Sequence, residues 1–86
     1  MSGLKILKEN WDDYNKRKVR ENEDPLSFMC KEKWEVDFLI VKIRGAYSHL
    51  PEESIINAIK ACCKNIEGSR PRKDFVNCVM IRLRGL

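Results

Sequence analysis

The reading of the fold turns on Trp34–Tyr47, WEVDFLIVKIRGAY. Wound as a helix at about 100° per residue, it sets Val36, Leu39, Ile40, Ile43 and Tyr47 on one side. Trp34, Phe38, Val41 and Gly45 fall on the opposite side. A surface helix shows one apolar stripe, and a helix with two is normally packed between neighbours. The stretch is also rich in β-branched and aromatic residues, as a buried strand would be. Its length and the lack of a breaker before Gly45 favour helix, and no second strand-like run is available to pair with it. It predicts a central helix over about 33–47 with partners on both sides.

Two further helices follow it. Ser48–Glu53 reads as a junction, with Pro51 at a first helical position and two glutamates at the positive end of the dipole. The helix after it, about 51–66, carries Ile55, Ile59, Cys62 and Ile66 on one face, and Gly68 is a natural stop. Pro71 repeats the junction logic for a last helix over about 71–84. Its core face is Phe75, Val76, Val79 and Leu83, while Cys78, Met80 and Ile81 lie off that face.

On the N-terminal side, Leu4, Leu7, Trp11 and Tyr14 recur at spacings of 3, 4 and 3 on an otherwise charged helix. Ser2 suits its N-cap, and the basic run Lys16–Arg20 suits its C-terminal end. Four apolar residues make such a helix marginal alone, so it needs a surface. The second stripe of the central helix is the intramolecular choice and another molecule is its rival. Glu21–Pro25 reads as an acidic linker, and Asp24 and Pro25 can open a short turn over Leu26–Cys30. The expected fold class is all-α: a three-helix core over about 33–47, 51–66 and 71–84 with an N-terminal amphipathic helical arm. The expected division is 1–20 for the arm, 21–32 for linker and turn, and 33–86 for the bundle.

Eighty-six residues make one small domain whose burial is limited, so a disulfide, a metal or a second subunit would help it. No apolar run approaches the ~20 residues of a membrane span, and the first residues lack a signal-peptide pattern. Those features point to a cytoplasmic protein. A cytoplasmic setting in turn predicts that Cys30, Cys62, Cys63 and Cys78 are reduced, buried thiols. Their spacing fits no zinc pattern and His49 is the single histidine, so no metal or cofactor is expected.

Catalysis has little to build on. His49 is adjacent to Ser48, but adjacency does not place a hydroxyl on an imidazole nitrogen. There is no phosphate-cradling glycine motif. The net charge of +4 lies entirely in the last nineteen residues, where Arg70, Arg72, Lys73, Arg82 and Arg84 face only Asp74. A tri-helical DNA-binding domain inserts the start of its last helix into the major groove. That reading would use Arg70, Arg72, Lys73, Asn77 and Arg84. Against it stand the small total charge, the interruption by Asp74 and Ile81, and junctions without a helix-turn-helix pattern. The surplus apolar surface favours another function first: a non-catalytic binding module engaging a protein partner or a second copy of itself. Leu7, Trp11, Tyr14, Met80 and Ile81 would be its contact residues.

Overall fold

The computed structural model describes residues 3–64 and 69–84. Five helices and one two-stranded ribbon make it predominantly all-α. In chain order these are α1 (Gly3–Leu7), α2 (Asp12–Arg20), β1 (Ser27–Met29), α3 (Lys33–Ala46), α4 (Glu52–Cys63), β2 (Ser69–Pro71) and α5 (Arg72–Leu83). The three predicted core helices appear as α3, α4 and α5. The expected cap at Ser2, the side chain of Leu4, Ile66 and the stop at Gly68 lie outside the described residues.

α3 uses both of its stripes. Leu39, Ile40 and Ile43 are buried in the core that α3 shares with α4. On the other side, Trp34 and Phe38 receive the N-terminal segment. Trp11 lies 5.2 Å from Phe38, and Tyr14 lies 5.2 Å from Trp34 and 5.4 Å from Phe38 between ring centroids. This second stripe ends there, since Val41 is 67% exposed. The arm therefore belongs to the core: Ile6, Trp11 and Tyr14 are all buried. A radius of gyration of 12.0 Å matches the about 12 Å expected of one compact domain of this length.

The arm is two helices rather than the single one expected. Asn10 Oδ1 accepts from the Asp12 N–H at 2.8 Å and starts α2 afresh. The Trp11 indole donates to the Ile6 carbonyl at 3.0 Å inside the protein, holding the bend closed. The break rotates Ile6 into the core, a position that an unbroken seam through Leu4, Leu7 and Trp11 leaves off the apolar face. α2 ends in a left-handed turn at Asn22 (φ 61°). There Glu23 N–H donates to the Lys18 carbonyl at 2.8 Å and Asn22 N–H to the Val19 carbonyl at 3.0 Å.

The ribbon was not expected. The Asp24 turn forms, with Oδ1 accepting from Leu26 N–H at 2.9 Å. The chain then extends, and Ser27, Phe28 and Met29 pair antiparallel with Pro71, Arg70 and Ser69. Three-residue strands show no periodicity to read. Phe28 anchors this one by stacking on Phe75, with centroids 4.2 Å apart and planes 11° from parallel.

The four cysteines are not free thiols. Cys30 is bonded to Cys63 and Cys62 to Cys78, with Cα separations of 5.9 and 6.1 Å. The 100° step between Cys62 and Cys63 on α4 sends one towards the β1–α3 turn and the other to α5. In the loop-closure description each crosslink stabilises a chain by about 3–4 kcal/mol, a large contribution for so small a core.

Candidate functional site

Burial settles where the expected partner-binding residues lie. Trp11, Tyr14 and Met80 are 4%, 0% and 1% exposed, and Leu7 is half-buried. Trp11, Tyr14 and Met80 belong to the protein's own core in this conformation, and Leu7 packs against it. Ile81 is the exception, at 64% exposed. Met80 differs from expectation because α5 has more neighbours than a three-helix core provides. Cys78 ties one shoulder of α5 to α4, and Met80 lies roughly 160° around the helix from it. α1, which packs on α5, is the remaining neighbour for that shoulder.

The nucleic-acid set does not form one surface either. The Arg72 guanidinium lies 4.5 Å from the Trp11 ring and 5.5 Å from the Tyr14 ring. It donates to Asn15 Oδ1 at 2.8 Å and to the Pro25 carbonyl at 3.2 Å, and burial lowers its pKa from the ordinary value. Through Nη1 it is a strut between α5 and α2. Lys73 and Arg84 are exposed, but buried Met80 lies on α5 between them in nearly the same row. Arg70 and Asn77 do share a shallow cleft of about 590 Å³ with Arg82 and Ile81, and Asp74 sits in it too.

Two groups of charged residues remain, and they are opposites. The first is buried. Glu35 and Lys18 are both 0% exposed, and Lys18 Nζ lies 3.1 and 3.0 Å from the two carboxylate oxygens. Glu35 Oε1 also accepts from the Met29 N–H at 3.0 Å. The Tyr14 hydroxyl is 2.6 Å from both that oxygen and the Ser27 carbonyl, and its one proton serves these two acceptors. Glu23 adds a second carboxylate 3.6 Å from Lys18. Burial, then the hydrogen bond and charge of Glu35, push the Tyr14 phenol above its ordinary range. Its strong donors and acceptors engage one another, and it ties α2, α3 and β1 together.

The second group is open. Between α3, α4 and the turn before α3 lies a cleft of about 440 Å³. Its floor is Val36, Ile56, Ile59 and the Cys30–Cys63 disulfide. Its rim is Lys31, Lys33, Lys60 and Lys64, and among the described residues no carboxylate lines it. Lys33 pairs with Asp37 at 2.8 Å, which raises its pKa. No ion pair engages Lys31, Lys60 or Lys64 among the described residues.

Sequence reasoning missed this cleft because its lysines stand some thirty residues apart in two pairs. The available signal was the cysteines: Lys31 and Lys33 follow Cys30, and Lys60 and Lys64 flank Cys63. Pairing those cysteines brings the lysines together. His49, exposed and in edge contact with Tyr47 at 6.2 Å between centroids, lies outside the cleft. No helix among the described residues is long and apolar enough to cross a membrane. Comparison with protein-family models, curated proteins and solved structures finds no match, so the cleft is interpreted from this chain's residues alone.

Proposed function

We propose that the chain is a non-catalytic binding module whose partner is a protein presenting an acidic segment with an apolar anchor. The observation that carries this reading is the α3–α4 cleft, an apolar floor within four lysines and, among the described residues, no lining carboxylate. A floor of Val, Ile and disulfide favours burial of a Leu- or Phe-sized side chain. The rim favours carboxylates on either side of it and disfavours basic or neutral competitors. Among the described residues the ordinary titrating groups lining the cleft are its four lysines, which supports a binding role over acid–base chemistry.

A second copy of this chain has weaker support as partner. The exposed large apolar residues Val19, Leu26, Val41 and Ile81 belong to four different segments. Nucleic acid ranks behind as well, since Arg72 is engaged inside the protein. The two disulfides support an oxidising setting over the cytoplasm expected from the sequence.

The test is a titration of a fluorescent peptide, EEDLFDEE, against the oxidised chain, with duplex DNA in a parallel series. Saturable peptide binding that weakens with added salt is expected, and Lys60→Glu with Lys64→Glu should weaken it about tenfold or more. Tight duplex binding with no peptide binding would replace this reading by the nucleic-acid one.

A further inference from the structure

We propose that the Cys30–Cys63 disulfide is a redox latch on the lysine-rimmed cleft, opened by a dithiol reductant and protected by an acidic occupant. This rests on the reading of the cleft given above.

The latch joins two pairs of like charges. Cys30 brings Lys31 and Lys33 to one side of the cleft, and Cys63 brings Lys60 and Lys64 to the other. Only Lys33 has a carboxylate partner among the described residues. The sides therefore repel, and the crosslink opposes that repulsion. An acidic occupant opposes it too, by placing negative charge between them. Two devices that favour the same closed arrangement are linked: closing by either one strengthens the other by the same factor.

The position also favours thiol exchange. Cys30 and Cys63 are both half-buried and line the cleft. In the second disulfide, Cys62 is 3% exposed within the core, leaving Cys78 as its accessible side. In the reaction, a thiolate of the dithiol attacks one sulfur of the latch, and the other cysteine leaves as a thiolate. The nearby ammonium groups stabilise that departing charge. The second thiol of the reductant then attacks the mixed disulfide and closes a cyclic disulfide. Two electrons and two protons pass from the reductant to Cys30 and Cys63, which end as thiols. An acidic occupant neutralises the lysines, blocks approach and slows both steps.

Reduction of the latch need not unfold the chain. The Phe28–Phe75 stack, the β1–β2 pairing, the Met29 N–H bond to Glu35 and the Cys62–Cys78 crosslink all remain. The opened state is a loosened cleft on an intact core.

The experiment uses the full chain, the EEDLFDEE peptide and dithiothreitol as the dithiol. Cys30→Ser with Cys63→Ser should raise the peptide Kd about tenfold while circular dichroism stays helical. In the unsubstituted chain, saturating peptide should raise the dithiothreitol needed to half-reduce Cys30–Cys63 by a similar factor. Reduction of Cys62–Cys78, followed by alkylation and peptide mapping, should not move. Equal Kd values for the double variant and the oxidised chain would overturn the latch while leaving the cleft reading intact. If the double variant does not fold, the reduction series decides: an unchanged midpoint with peptide bound overturns the latch. If the oxidised chain does not bind the peptide, the cleft reading fails and the latch falls with it.

Discussion

Lys18 and Lys60 are the same residue type on helices of the same small protein, and the structure uses them in opposite ways. Lys18 is fully buried, with Glu35 and Glu23 around it and Tyr14 sharing the Glu35 carboxylate. Lys60 is exposed at the rim of an apolar cleft, near two other lysines that, like it, have no ion-pair partner among the described residues. A buried charge is tolerable only with its partners in place, so the first cluster contributes to specifying the fold. Unpaired exposed charges cost little to leave in water, and they remain available to a ligand. In this protein, therefore, the charges that fold it and those proposed to bind are separated by burial.

The largest effect that could break this contrast is at Glu35. Glu35→Ala leaves Lys18 buried without its main partner and should cost about 3–5 kcal/mol, read from chemical denaturation. A loss below about 1 kcal/mol would mean that water reaches the cluster and that the burial argument is wrong.

Tyr14→Phe should cost less, about 1–2 kcal/mol at neutral pH, since Lys18 and Glu35 stay paired. It also has a pH signature. Burial and Glu35 raise the Tyr14 pKa above the unfolded value of 10.0. A raised pKa means that the native state keeps a proton which the unfolded state loses. This contribution is full below about pH 10 and declines as pH rises above it. The substitution should therefore remove up to about 1.4 kcal/mol per pH unit from the alkaline slope. Denaturation midpoints of both proteins from pH 8 to 11 would show it, and parallel slopes would contradict the assigned environment.

The smallest effect is expected at the cleft. Lys60→Gln with Lys64→Gln should leave stability within about 0.5 kcal/mol or raise it slightly, because it relieves repulsion and breaks no pair. A loss comparable to that at Glu35 would mean that these lysines hold the fold and are not free for a ligand.

Much of the frame was legible from apolar periodicity and punctuation. The two stripes of Trp34–Tyr47, and the prolines at 51 and 71, located α3, α4 and α5 to within a few residues. Three features were not legible, each for a physical reason. The break after Leu7 depends on a hydrogen bond from the Trp11 indole that only the folded chain makes. The ribbon is made of strands too short to show alternation. The disulfides depend on redox setting, and the inference of a reducing compartment led to free thiols. The burial of Trp11, Tyr14 and Met80 was hidden for a related reason: it depends on α1 and α2 packing into the core. The cleft was hidden by distance along the chain, since neither lysine pair is unusual by itself.

The most direct test of the central claim, that the lysine-rimmed cleft is the binding surface, is an NMR titration. The isotope-labelled, oxidised chain would be titrated with EEDLFDEE and its amide shifts mapped. The account predicts saturable shifts concentrated at Lys31, Val36, Ile56, Lys60 and Lys64, with α2 and the outer face of α5 unmoved. Shifts centred on Arg70, Asn77 and Arg82, or no saturable shifts at all, would contradict it.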